Sequence, residues 1–131
     1  MRILRQLSIW LATAALIVAG CAPRTPDKIF EDLVEAAQKG DIDKALSYLA
    51  ENSRNELSAF LITPEMKRHA RDRMIEESHN ISYNIQGVSI DGTNAILKLH
   101  INDPEGFGEY PDALPFILEN DEWKLNLSDF L

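Results

Sequence analysis

Apolar and polar positions repeat with two different periods along this chain, and the change falls near residue 80. From Thr25 onward, apolar residues recur at the i, i+3 and i+4 spacing of amphipathic helices. Beyond Asn80 the period becomes two, which is typical of strands with one buried face. The pattern therefore predicts helices first and strands second.

The first predicted helices have clear start and stop signals. Thr25-Pro26 predicts an N-cap followed by proline at the first helical position. Gly40 can adopt the left-handed conformation that ends a helix, and Asp41 can cap the next one. We therefore expect two helices joined by a short corner at these residues.

Two further signals predict the remaining helices. The run 53–56, Ser-Arg-Asn-Glu, fits a capping box and predicts a helix that starts there. Thr63-Pro64 repeats the cap-plus-proline pattern and predicts a charged helix to about Glu77. Few positions of this last helix are expected to contact a core: Met66, Ala70, Met74 and Ile75.

The second half predicts an antiparallel meander. Gly87 interrupts the first alternating run and predicts a bulge, and Asp91-Gly92 is a strong hairpin signal. A last hairpin is expected around Asn120-Asp121. Helices followed by such strands predict an α+β domain with helices packed on one face of a curved antiparallel sheet.

The first twenty residues have the pattern of an export signal. Arg2 and Arg5 precede a mostly apolar stretch, and small residues follow up to Cys21. The apolar stretch is shorter than the roughly 20 residues that a membrane-spanning helix needs. We therefore expect residues 1–20 to be a signal peptide.

Val18, Ala19 and Gly20 before Cys21 resemble the lipobox of bacterial lipoproteins. In that family the cysteine sulfur receives a diacylglyceryl group and the chain is cut before the cysteine. The resemblance implies lipidation at Cys21, with a short tether over 21–25. The chain beyond shows no repeat and no second domain boundary, so we expect a single domain over 26–131. Ala22, rather than aspartate, then favours the periplasmic leaflet of the outer membrane in a Gram-negative cell.

Charge and cysteine content exclude several classes. The chain has 131 residues, with 13 basic and 21 acidic side chains and a net charge of -8. This balance argues against nucleic-acid binding, which normally needs a basic surface. The single cysteine excludes an internal disulfide and a multi-cysteine metal site. We expect no metal and no cofactor.

The helical start with its Gly40-Asp41 pair, together with the terminal Trp123-Lys124, resembles nuclear-transport-factor-like domains. That resemblance implies a conical pocket between helices and sheet. Tyr48, Phe60 and Tyr83 are candidates to line it, with core packing as the alternative. No catalytic motif of the family matches, so no catalytic residue is carried over.

Other candidate residues have plain structural alternatives. His100 near Asp103 could form a general base with its orienting carboxylate, although a surface histidine is the simpler interpretation. His69 and His79 lie on the charged helix, and the three histidines have no metal-ligand spacing.

One basic cluster and one aromatic loop are candidate contact surfaces. The cluster could bind an anionic partner or lipid headgroup, or pair with acids along its own helix: Lys67, Arg68, Arg71 and Arg73. Phe107 and Tyr110 lie on a glycine- and proline-rich loop that could bind a partner or fold back over the sheet edge.

We expect a lipid-anchored cell-envelope protein that binds a small apolar ligand or an envelope protein without catalysis. One alternative is a pocket enzyme of the isomerase or dehydratase kind, which would need an ionisable side chain inside the cone. Another is a structural component of an envelope assembly that docks through the loop of Phe107 and Tyr110.

Overall fold

The computed structural model describes residues 23–106 and 110–130. In these ranges the chain forms helices in its first half and strands in its second. Their bounds are α1 Pro26–Gln38, α2 Ile42–Ser47, α3 Glu51–Ser58, α4 Pro64–Asn80, β1 Ser82–Asp91, β2 Asn94–Asn102, β3 Ala113–Glu119 and β4 Glu122–Leu125. The expected signal peptide, the lipobox with Cys21, and Phe107 lie outside the described residues.

The corner between α1 and α2 forms as the sequence predicts. Gly40 has a φ of +71°, in the left-handed region that favours glycine. The Asp41 carboxylate accepts a hydrogen bond of 3.1 Å from the backbone N–H of Lys44, so it caps α2. The corner thus lets α2 turn back beside α1.

Helix α3 does not begin with the predicted capping box. It begins at Glu51, and Ser53 lies inside the helix with no exposed surface. The Ser53 hydroxyl accepts a hydrogen bond of 2.8 Å from the N–H of Leu127, 74 residues later. The prediction was wrong because this serine serves a tertiary contact, while the Ala50 N–H before the helix bonds to Leu125 O at 2.8 Å.

Helix α4 begins as predicted, with the Thr63 hydroxyl accepting a hydrogen bond of 3.1 Å from Met66 N–H. It continues to Asn80, three residues beyond the predicted end. Its one buried residue is Ser78, whose backbone carbonyl lies 3.5 Å from the Gln38 amide nitrogen of α1. Within the described chain, no helix is both long and apolar enough to cross a membrane.

The four strands form one antiparallel sheet in the order β1-β2-β3-β4, which confirms an α+β fold. The register shifts between Ile85 and Gly87, so the predicted bulge is present. Asn120 and Asp121 both have positive φ in the β3–β4 turn, as a tight hairpin requires.

The hydrophobic core lies between α1 and the helix-facing side of the sheet. Its buried members are Ile29, Phe30, Leu49, Ala95, Leu97, Leu99, Leu114, Phe116, Trp123 and Leu125. Backbone hydrogen bonds fix the α2–α3 connection to β4: Leu125 N–H donates to Tyr48 O at 2.9 Å and Ala50 N–H donates to Leu125 O. The helices are therefore held on the sheet by both packing and the main chain.

Glycine at position 40 also determines how closely α4 can approach. A Cβ atom there would lie 2.7 Å from Ile75 Cδ1 and 3.0 Å from Arg71 Cγ, both on α4. We expect Gly40→Ala to lower the free energy of unfolding by about 2 kcal/mol, from left-handed backbone strain and displacement of α4. Urea denaturation measures this loss.

Gly92→Ala is the matched control for this prediction. Gly92 also has a positive φ, +61°, but no atom lies within 4 Å of the position its Cβ would take. The free energy of unfolding of Gly92→Ala should fall by only about 1 kcal/mol, the cost of the backbone conformation alone. Equal losses in the two variants would show that the contact with α4 is not tight.

Candidate functional site

An apolar groove lies on the helical side of the protein. Its volume is about 430 Å³, within the range of about 300–1,000 Å³ typical of small-molecule sites. All of its lining side chains are apolar. They are Leu33, Ile42, Ala45, Leu46, Leu49, Leu57, Phe60, Leu61, Ala70, Met74 and Leu127.

The groove exists because α4 is covered on one side only. In the described part of the chain, α1 is the one helix or strand with more than marginal contact to α4. Ala70 and Met74 of α4 therefore face α2 and α3 across open space and do not close onto them. Phe60, 66% exposed, stands at the edge of this groove.

A second, smaller cavity of about 290 Å³ lies between α2 and the start of α4. We call it the basic pocket, because Lys67, Arg68 and Arg71 line it. Lys67 Nζ lies 3.1 Å from the carboxylate of Asp43, which joins the two helices across the pocket. The basic cluster predicted from the sequence therefore divides, since Arg73 instead pairs with Glu77 at 2.8 Å along α4.

A third cavity of about 530 Å³, which we call the polar cavity after its charged lining residues, lies between the start of α1, the end of α2 and the β3–β4 hairpin. It is lined by Pro23, Arg24, Ile29, Ser47, Tyr48, Asp121, Glu122, Trp123 and Lys124. Lys124 Nζ donates a hydrogen bond of 2.7 Å to Ser47 O and lies 3.0 Å from the Glu122 carboxylate. Arg24 pairs with Asp32, which raises the pKa of Arg24. The two basic residues of this cavity, Arg24 and Lys124, therefore both have acidic partners.

The three aromatic residues expected in one conical pocket are in three different environments. Tyr48 lines the polar cavity, and Phe60 lines the apolar groove. Tyr83 packs edge-to-face on Phe30, with ring centroids 5.0 Å apart and planes at 86°. Tyr83 is therefore a core residue, and burial raises the pKa of its phenol.

The histidines do not converge on a site. His100 is exposed on β2, on the sheet face away from the helices, whereas its neighbours Leu99 and Leu97 face the core. His69 is exposed on α4, and His79 Nδ1 lies 2.8 Å from the Ile75 carbonyl. Over residues 23–106 and 110–130, no three His, Cys, Asp or Glu side chains group closely enough to hold a metal ion.

The proposed partner loop is described only in part, because Phe107 lies outside the described residues. Tyr110 is half-buried. Burial raises the pKa of the Tyr110 phenol, and the charge of nearby Asp103 raises it further.

Two of the residues that line the groove were expected from the sequence to lie in the core. Ala70 and Met74 were expected as core contacts, and both line the groove. Ile75 packs instead against Gly40, and Met66 is 41% exposed. The sequence did contain one signal for the groove. The apolar residues of α4 recur every four positions and form a stripe too narrow to bury the helix against a core.

The comparisons with known proteins leave the function open. No protein-family model matches this chain, and the comparison with curated proteins gave no match. A solved structure of an NTF2-like protein of unknown function from Cytophaga hutchinsonii ATCC 33406 is similar, with 17% identity and a TM-score of 0.41. The similarity covers 78% of this chain and 87% of that chain. What the protein does must therefore be inferred from its own residues.

Proposed function

We propose that this protein is a lipid-anchored binding module of the cell envelope that holds a small apolar ligand in the apolar groove. The observation that carries the proposal is the groove itself, which is large enough for a ligand and lined by apolar side chains. Small-molecule sites are concave and lined mainly by apolar side chains, as this groove is. The expected ligand is a molecule whose buried part is hydrocarbon.

The lining favours binding over catalysis. An enzyme of the isomerase or dehydratase kind needs an ionisable side chain at the ligand, held in a perturbed environment. None of the groove's described lining residues is ionisable. Tyr83 and Tyr110, whose pKa values burial raises, line neither the groove nor the basic pocket.

We keep the nuclear-transport-factor-like architecture as part of this proposal. The support is that the two motifs that resemble this family lie where the resemblance implies, at the first helix corner and in the last hairpin. Gly40-Asp41 forms the corner between the first two helices, and Trp123-Lys124 lies in the last strand. In this chain the apolar space lies among the helices, beside α4.

Substitution of an exposed groove residue tests the proposal without disturbing the core. Phe60→Ala should weaken binding of the neutral apolar dye N-phenylnaphthylamine about fivefold, or ~1 kcal/mol, because ring surface is lost from the edge of the groove. Dye fluorescence titration gives the affinity. Ala70→Phe, which places a ring inside the groove, should reduce binding further.

Phe130→Ala is the matched control, because Phe130 is also an exposed phenylalanine, 50% exposed, and does not line the groove. It should bind the dye as the unaltered protein does. If Phe60→Ala and Ala70→Phe bind the dye with unchanged affinity while remaining folded, the groove is not the ligand site.

The anchor part of the proposal rests on Cys21 and the three residues before it. Two or three acyl chains hold a protein on a bilayer far more firmly than one. Residues 1–20 contain Arg2 and Arg5 and no acid, so the chain after cleavage would have 11 basic and 21 acidic residues, a net charge of -10. Anionic headgroups would repel that surface, so the lipid must supply the attachment.

Cys21→Ala should abolish lipidation, because the substitution removes the sulfur that receives the diacylglyceryl group. We expect an uncleaved or soluble protein, detected by membrane fractionation and intact mass. Ala22→Asp is the control, since it keeps the cysteine and should remain lipidated. Normal processing and unchanged membrane partition of Cys21→Ala would contradict the anchor.

A further inference from the structure

The apolar groove and the basic pocket share a wall. Ile42 of α2 lines both of them. On α4, Lys67 and Arg71 of the pocket each lie three residues before a groove residue, Ala70 and Met74, so the two linings are neighbours along the helix. The groove and the basic pocket are therefore adjacent, with Ile42 at their boundary.

The basic pocket carries an excess of positive charge. Its two carboxylates already have partners, since Asp43 pairs with Lys67 and Asp41 caps α2. Arg68 is exposed, and among the described residues no acidic side chain pairs with it. Within residues 23–106 and 110–130, the acidic partner of Arg71 is Asp72, the next residue of its own helix, at 3.8 Å. Two guanidinium groups thus lie beside the groove.

The remaining basic residue of the cluster shows what an ordinary surface charge looks like on this helix. Arg73 pairs with Glu77 one turn along α4 at 2.8 Å, and it lines neither the groove nor the pocket. Arg68 lines the basic pocket and has no such acidic partner among the described residues. Arg68 and Arg71 therefore differ from the solvated Arg73, because they lie beside the apolar groove.

We propose that the groove and the basic pocket together bind a long-chain carboxylate, that is, a fatty acid. The hydrocarbon chain lies in the apolar groove among Leu46, Ala70 and Met74, and the carboxylate meets Arg68 and Arg71. A guanidinium donates two parallel hydrogen bonds that match the oxygens of a carboxylate. The inference rests on the proposed function, because it assigns the head group of the same apolar ligand.

Calorimetric titration of the full chain with dodecanoate and with 1-dodecanol tests the assignment. The two probes have the same chain length, and only dodecanoate carries a negative charge. Dodecanoate should bind about tenfold more tightly, because a charge-assisted hydrogen bond contributes on that scale. Added salt should weaken dodecanoate binding and leave dodecanol binding almost unchanged.

The variants identify the residues responsible. Arg68→Gln with Arg71→Gln should remove the roughly tenfold preference for dodecanoate and leave dodecanol affinity unchanged. Arg68→Gln alone should remove part of the preference for dodecanoate. Because Arg68 is exposed, this single variant replaces the double variant in the test if the double variant does not fold. Arg73→Gln is the matched control and should keep the full preference.

Each failure has a distinct meaning. Equal affinity for dodecanoate and dodecanol would overturn the fatty-acid assignment and leave an apolar binding site in place. A preference that survives in Arg68→Gln with Arg71→Gln would overturn the role of these arginines. Binding of neither probe would overturn both the assignment and the proposed function.

Discussion

The close contact between Gly40 and α4 is the constraint on which the shape of the helical side depends. A Cβ atom there would force the terminal methyl of Ile75 to move and would press on the stem of Arg71. The same glycine takes the left-handed conformation that ends α1 and lets Asp41 start α2. One position thus fixes both the corner and the place where α4 meets it.

The groove follows from how unevenly α4 is covered. In the second half of α4, Ile75 packs against the corner at Gly40, and Ser78 accepts a hydrogen bond from Gln38 of α1. Ala70 and Met74 face α2 and α3 without closing onto them. A helix held along one side leaves apolar surface on the other, and this surface forms the groove. The Lys67–Asp43 pair spans α2 and α4 beside it.

The sequence predicted those features that local chemistry decides. Asp41, Thr63 and the Asn120-Asp121 turn behave as their residue types require, because each acts on backbone within three residues. The capping box at Ser53 failed because that hydroxyl bonds to Leu127, far along the chain. Local patterns cannot anticipate a competing partner that only the tertiary fold brings near.

The candidate site was harder to predict for a related reason. A groove forms where two elements do not pack against each other. Apolar periodicity shows that a helix face is apolar, but it does not show whether another element covers that face. Met74 was expected as a core contact. Phe60 and Tyr83 were candidates for one pocket, with core packing as the alternative, and they occupy different environments. The basic cluster was visible in the sequence, but its division between Arg68 and Arg73 depends on the position of α2.

Methionine-methyl NMR gives the most direct test of the groove as the ligand site. The described chain holds one methionine in the groove lining, Met74, and one outside it, Met66, on the same helix. When dodecanoate is added to protein with ¹³C-methyl methionine, the Met74 signal should shift saturably and more than the Met66 signal. Saturable binding that leaves the Met74 signal in place would contradict the groove as the binding site.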